Sequence, residues 1–221
     1  MNPQASNTSP AGEPSAHQAP AAAADPENVP PSPWNLPNAL TVLRIFMVPI
    51  YGWLLLSEGG TDTTLRWWAC AVFVLAMITD RLDGEIARAK GLITDFGKMA
   101  DPIADKALTG MGFIGLSLIG DLWWWVTGLI LFRELGITLL RFVVIRYGVM
   151  AASKGGKLKT FLQAVALGML TAPGGEWWLW LAYAVTAAAT VVTVGTGIDY
   201  VIKARALVVG QSADRKAGRQ E

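Results

Sequence analysis

The chain has 221 residues, of which 52% are hydrophobic and only 16% are charged, and its formal net charge is +1. Soluble domains are roughly 25% charged and 45–50% apolar, so this composition excludes an ordinary soluble domain and favours a membrane protein. The nearly neutral charge also argues against electrostatic binding to nucleic acid.

Residues 1–33 differ in composition from the rest of the chain. They hold eight of the twelve prolines and no lysine or arginine. Because such a segment cannot bury enough apolar surface to offset the entropy of ordering, we expect a disordered tail. Residues 34–206 are then the membrane domain, and residues 207–221 form a polar C-terminal tail.

Apolar stretches of membrane-spanning length alternate with short polar turnarounds over residues 34–206. They predict an all-α, polytopic membrane protein with six transmembrane helices. The predicted helices cover residues 38–57, 66–89, 98–120, 122–147, 157–171 and 177–204.

The basic residues predict how these helices are oriented. Of the 18 lysines and arginines, only Arg66 lies at the turnarounds 57–66, 119–123 and 172–176. Tryptophans cluster at the same turnarounds, as expected of an interfacial aromatic belt. The positive-inside rule therefore places both termini and the opposite turnarounds in the cytoplasm, most simply at a bacterial inner membrane.

The most specific signal is the aspartate pattern D-x2-D-G-x2-A-R-x8-G-x3-D-x3-D between Asp80 and Asp105. Asp80 and Asp83 are three residues apart and share one helix face, as do Asp101 and Asp105, which are four apart. Four carboxylates beside apolar segments are costly unless they are used. Their all-oxygen chemistry predicts a site for one or two Mg²⁺ or Mn²⁺ ions.

Two further residues of the pattern suit a phosphate-bearing ligand. Gly84 leaves the helix surface bare, so that a ligand can approach the backbone closely. Arg88 lies roughly on the same side and can pair with phosphate oxygens through its guanidinium.

This stretch resembles, position for position, the signature of the CDP-alcohol phosphatidyltransferases. The resemblance implies a six-helix membrane enzyme that transfers a phosphatidyl or similar group from a CDP-linked donor to an alcohol and releases CMP. It implies a dinuclear Mg²⁺ or Mn²⁺ site formed by the four aspartates, with Asp105 also the general base. It further implies contacts to the CDP-lipid from Gly84, Arg88 and Thr94. Asn38 and Thr41 are also assigned to the CDP-lipid site, and Arg44 to the lining of the nucleotide or acceptor site. The resemblance also implies a homodimer.

A second basic segment bears on the acceptor alcohol. Arg133, Arg141, Lys154 and Lys159 are candidates for binding an acceptor that carries its own phosphate. Arg133 lies well inside the fourth predicted helix, where an unpaired cation is expensive. Its neighbour Glu134 is expected to point elsewhere on the helix, which leaves a more distant partner or an anionic substrate.

The segments NLPNALTVLRIFMVPI, FRELGITLLR and ASKGGKLKT resemble the phosphatidylglycerophosphate synthase branch of the family. That branch takes CDP-diacylglycerol as donor and sn-glycerol 3-phosphate as acceptor. Cardiolipin synthases and phosphatidylinositol-phosphate synthases of the same family stay open as alternatives. So does a divalent-cation transporter, although the chain shows no internal repeat. A membrane prenyltransferase is disfavoured because its two aspartate motifs would lie far apart in sequence.

Overall fold

The computed structural model describes residues 35–92, 94–144 and 154–217. This part of the chain contains six α-helices and one short 3₁₀ turn, and no strand. The helices are α1 (Leu36–Leu56), α2 (Thr63–Lys90), α3 (Asp95–Leu118), α4 (Trp124–Val144), α5 (Lys154–Thr171) and α6 (Glu176–Ala217). The prediction of an all-α chain with six helices is confirmed, whereas the predicted tail over residues 1–33 lies outside the described residues.

Local sequence explains where several helices begin and end. Asn35, Asp62 and Thr94 are the N-caps of α1, α2 and α3, and each side chain accepts a hydrogen bond from a backbone N–H of the first turn. These side chains satisfy donors that a helix start leaves without a partner. Helix α2 ends at Gly91, whose left-handed backbone (φ 63°) glycine adopts without strain.

Glycines bring α3 close to its neighbours. A Cβ built at Gly115 would lie 2.8 Å from Leu55 Cδ2 on α1, and one at Gly112 would lie 3.0 Å from Leu167 Cδ2 on α5. Leu55 and Leu167 are both fully buried in the apolar core. Gly112 and Gly115 are therefore packing positions, because a side chain at either would push the helices apart.

Arg66 joins the turnarounds at one end of the bundle. Its guanidinium ion-pairs with Asp121 at 2.6 Å and donates to the carbonyl oxygens of Leu170 and Thr171. A longer contact of 3.4 Å reaches the carbonyl of Gly60. The α1–α2, α3–α4 and α5–α6 connections thus meet at one end, as predicted, and the one basic residue of that end satisfies carbonyls that a helix terminus leaves free.

Among the described residues, two stretches are long and apolar enough to cross a membrane, Leu36–Gly60 and Glu176–Ala206. That all six helices cross a membrane stays a prediction. Helix α6 has 42 residues and ends at Ala217, well beyond the predicted end near residue 204. The prediction stopped there because the apolar periodicity gives way to polar residues, yet no proline or glycine cap interrupts the helix at that point.

Replacement of Gly115 by valine is expected to destabilise the protein by about 1–3 kcal/mol, since the added methyl groups would overlap Leu55 in a packed core. Thermal unfolding of the purified protein in detergent would measure the effect. Gly128→Val is the matched control, because a Cβ at this helical glycine would meet no described atom within 4 Å. Equal melting temperatures for the two variants would contradict the packing role.

Candidate functional site

The fold brings the two aspartate pairs together. Asp80 and Asp83 lie near the end of α2, and Asp101 and Asp105 lie in the first half of α3. The left-handed turn at Gly91 reverses the chain between the two helices. As a result, Asp80 and Asp105 line the same cleft, and α1 contacts both aspartate pairs through Arg44 and Thr41. This geometry supports the prediction that the four carboxylates lie in one region.

Arg44 of α1 reaches into the carboxylate group. Its guanidinium lies 2.7 Å from Asp80 Oδ1 through Nη1, and Nη2 pairs with Asp83 Oδ2. The Arg44 side chain is fully buried and that of Asp83 is 4% exposed, whereas Asp80 is 36% exposed. Arg44 therefore neutralises the interior side of the group and leaves the Asp80 side open to a ligand.

The sequence had suggested only that Arg44 lines a nucleotide or acceptor site, and its pairing with Asp80 and Asp83 was not predicted. A signal was available, because an arginine in the middle of an apolar helix needs a partner, and the nearest carboxylates in a small bundle are those of the motif. Which aspartates it would meet depends on how α1 packs against α2.

Three residues predicted to contact the CDP-lipid make internal contacts within the described structure. Thr41 Oγ1 donates to Asp101 Oδ1 at 2.5 Å, which orients that carboxylate. Thr94 Oγ1 donates to Asn38 Oδ1 at 2.9 Å and accepts from the backbone N–H of Gly97 at 3.1 Å. These bonds tie α1 to the start of α3, so Asn38, Thr41 and Thr94 hold the aspartate-bearing helix in place.

Gly84 and Arg88 line a cleft of about 960 Å³ between α2 and α5. The Arg88 guanidinium covers the bare face of Gly84, since a Cβ there would lie 3.3 Å from Nη1. Asp80 and Asp105 line the same end of the cleft. Lys157 of α5 also lines it, and the sequence analysis did not assign this lysine to a site.

Away from the aspartates the cleft becomes apolar. Its walls there include Phe73, Met77 and Val165, and it ends near Trp67 and Trp178. From Arg88 to Trp67 the cleft follows α2 for about 30 Å at the helical rise of 1.5 Å per residue. One end of the cleft thus carries charged side chains and the rest of its length is apolar. This distribution of polarity matches that of a lipid with an anionic head group.

Two of the predicted acceptor residues lie in a polar cluster between α4, α5 and α6. Lys159 is buried, and its Nζ pairs with Glu134 Oε1. Arg133 Nη1 lies 3.6 Å from the same oxygen, and its Nη2 donates to Thr196 Oγ1 at 2.9 Å. The expectation that Glu134 points away from Arg133 is wrong, because both side chains are long enough to meet beside the helix.

The structure describes only the backbone of the remaining acceptor candidates, Arg141 and Lys154. The backbone of Arg141 lies in α4 and that of Lys154 begins α5. The side chains of both lie outside the described residues.

The aspartates suit a divalent cation by their chemistry. They offer only carboxylate oxygens, and a single guanidinium neutralises just part of the charge of four carboxylates. No three acidic, histidine or cysteine side chains in the described ranges are already arranged as a metal cage. The four aspartates therefore fit a divalent cation in the type of donor atom and in charge, and Arg44 supplies positive charge on one side.

Comparison with known proteins bears on this site. A family model described as CDP-alcohol phosphatidyltransferase matches residues 34–195. The chain belongs to this family. The match spans the whole aspartate motif, the cleft, and Arg133, Glu134 and Lys159 of the polar cluster.

The names of similar proteins specify an activity within the family. A "Probable phosphatidylglycerophosphate synthase" of Mycobacterium tuberculosis (strain ATCC 25618 / H37Rv) is 54% identical over 170 residues, 77% of this chain and 81% of the relative. A "CDP-diacylglycerol--glycerol-3-phosphate 3-phosphatidyltransferase" of Bacillus subtilis (strain 168) is 37% identical over 147 residues, 62% of this chain and 76% of the relative. A protein of the same name in Rickettsia prowazekii (strain Madrid E) is 42% identical over 137 residues, 62% and 74% of the two chains.

Replacement of Arg44 by glutamine is expected to lower the free energy of unfolding by about 3 kcal/mol or more, because Asp83 would be left as an unpaired buried charge. Arg44→Lys keeps the charge but loses the two-pronged geometry, so its loss should be smaller. Thermal unfolding in detergent would rank the variants.

Arg81→Gln is the control for this series, since the Arg81 side chain is 81% exposed and its pair with Glu85 is at 3.8 Å. An Arg44→Gln protein as stable as Arg81→Gln would refute the central role of the ion pair.

Proposed function

We propose that this protein transfers a phosphatidyl group from CDP-diacylglycerol to sn-glycerol 3-phosphate, giving phosphatidylglycerophosphate and CMP. The observation that carries the proposal is the position of Asp105. It lines the cleft, and its helix α3 packs against α5, which carries Lys159 of the basic cluster. A group between a donor cleft and an anion-attracting cluster is suitably located to join two phosphate-bearing substrates. The names of the relatives agree with this activity.

The cleft between α2 and α5 suits the donor. Arg88 and Lys157 offer positive charge to a diphosphate at the charged end. Because Gly84 has no side chain, the Arg88 guanidinium lies against the helix backbone, where it would meet the head group. The acyl chains would lie along the apolar part toward Trp67 and Trp178.

Asp80, Asp83, Asp101 and Asp105 would hold a divalent cation, Mg²⁺ or Mn²⁺, in the dinuclear arrangement that the family resemblance implies. When bound, such ions neutralise charge on a reacting phosphate and on a departing oxygen. Thr41 keeps the Asp101 carboxylate oriented for this role. Arg44 holds Asp80 and Asp83 on one side of the group.

Asp105 would act as the general base. The hydroxyl oxygen of glycerol 3-phosphate attacks the β-phosphorus of CDP-diacylglycerol, and its proton passes to the Asp105 carboxylate. The new oxygen–phosphorus bond forms as the bond to the CMP oxygen breaks. Arg133, Arg141, Lys154 and Lys159 would attract the acceptor's phosphate and so orient its hydroxyl.

A membrane setting with six spanning helices is part of the proposal. Each helix presents a large apolar side chain that is at least 60% exposed: Phe46, Trp68, Ile103, Phe132, Phe161 and Val191. Such a surface is costly in water and suits a lipid bilayer. The distribution of basic residues places the aspartates at the cytoplasmic face of the inner membrane. The homodimer implied by the resemblance stays a prediction.

Within the family, a cardiolipin synthase or a phosphatidylinositol-phosphate synthase would use the same donor cleft with a different acceptor. The relatives' names favour glycerol 3-phosphate. The transporter alternative has no support from the family match or from the relatives.

Purified protein supplied with CDP-diacylglycerol and Mn²⁺ is expected to release CMP with glycerol 3-phosphate, and not with inositol phosphate or phosphatidylglycerol. Chromatographic assay of CMP and of the lipid product would measure the preference. CMP release with only one of the other two acceptors would reassign the protein to the corresponding branch.

Asp105→Asn is expected to reduce turnover by about 10²–10⁴-fold, the usual contribution of a general base. Binding of CDP-diacylglycerol should change much less, since the cleft keeps its shape. Turnover and equilibrium binding of the donor would be measured on the same preparation. Undiminished turnover would contradict the assignment of Asp105.

A further inference from the structure

Glu134 is the centre of the polar cluster between α4, α5 and α6. One of its oxygens, Oε1, pairs with Lys159 Nζ, lies 3.6 Å from Arg133 Nη1 and accepts from Gln163 Nε2 at 3.5 Å. Gln163 is itself held by a 3.1 Å bond to Thr193 Oγ1 on α6. A single carboxylate oxygen therefore sets the positions of two cations that come from different helices.

Arg133 is held on its other side by α6. Its Nη2 donates to Thr196, and its aliphatic stem lies against Gly197, where a Cβ would be 3.2 Å from Arg133 Cγ. Its Nε is buried and has no hydrogen-bond partner among the described residues. An unpartnered buried donor is expensive, and an anionic ligand would relieve that cost.

The trio of Arg133, Lys159 and Glu134 retains one net positive charge. Lys159 and Lys157 are two residues apart on α5 and so point to opposite sides of the helix. Lys157 lines the donor cleft together with Asp105, whereas Lys159 is buried in the cluster. The cluster therefore offers positive charge to the Asp105 region from a side other than the donor cleft.

We propose that Glu134 is a positioning residue for the acceptor: it holds Lys159 and Arg133 in place to bind the acceptor's phosphate near Asp105. This inference rests on the proposed function and adds a residue outside the aspartate motif to it. Gly197 belongs to the same device, because a Cβ at this position would lie 3.2 Å from Arg133 Cγ and would shift the arginine side chain.

The device works through geometry and charge together. Without the carboxylate, two like charges would face each other in a partly buried site, and both long side chains would move apart. With the Glu134 carboxylate in place, both cations are fixed, and each keeps other N–H groups that can bind a phosphate. A fixed donor loses less entropy on binding than a free side chain does.

The test compares Glu134→Gln and Gly197→Ala with the wild type. Glu134→Gln keeps the size and a carbonyl oxygen but removes the charge, and Gly197→Ala displaces Arg133 without altering any charge. Both are expected to raise the KM for glycerol 3-phosphate by about tenfold, as for the loss of one charge-assisted hydrogen bond. The KM for CDP-diacylglycerol should stay within about twofold of wild type, because the cleft is untouched.

Gly195→Ala is the matched control, since a Cβ at this glycine of the same helix would meet no described atom within 4 Å. It should behave as wild type. Glu134→Asp tests rescue: a charge on a shorter side chain should restore part of the acceptor affinity that glutamine loses.

The outcomes separate the two proposals. If Glu134→Gln lowers kcat and melting temperature but leaves the acceptor KM unchanged, Glu134 is merely structural and the inference is overturned. If Glu134→Gln does not fold, equal acceptor KM values for Gly197→Ala and Gly195→Ala overturn it. A wild type that is active with glycerol 3-phosphate keeps the proposed function in either case. A wild type that releases no CMP with this acceptor overturns both.

Discussion

The buried guanidinium of Arg44 is the constraint on which the arrangement of the site depends. It joins α1 to the two aspartates of α2, and Thr41, one turn earlier on α1, holds an aspartate of α3. A cation buried in an apolar bundle is tolerated only when carboxylates surround it, and the carboxylates are tolerated only with a cation among them. Each charge therefore stabilises the position of the others, and the first helix becomes part of a site that the motif alone does not contain.

Helix α5 divides the polar interior into two regions. Its outer lysine, Lys157, belongs to the cleft along α2, and its inner lysine, Lys159, belongs to the cluster with Glu134. Asp105 forms part of the wall of the first region, and its helix α3 packs against α5, which carries Lys159 of the second. Two anionic substrates could thus approach one carboxylate from different sides without sharing the same cations, which suits a direct transfer between them.

The opposite end of the bundle is built for stability. Arg66 caps the end of α5 and pairs with Asp121, and Trp178 donates to the carbonyl of Met169 at 2.9 Å. Glycines at the α1–α3 and α3–α5 contacts let the helices approach closely. These contacts hold the helices together at this end, as the buried Arg44 ion pairs do at the aspartate end.

Hydrophobic stretches and turn signals in the sequence determined the six helices, and the spacing of the aspartates determined both the family and the faces that carry the carboxylates. Those properties are local, since they depend on helical periodicity over a few turns. The pairing of Arg44 with Asp80 and Asp83 and the pairing of Lys159 with Glu134 were decided by tertiary structure alone. Each depends on which helix packs against which, and contacts between residues 25 or more positions apart leave no periodic trace in a single sequence.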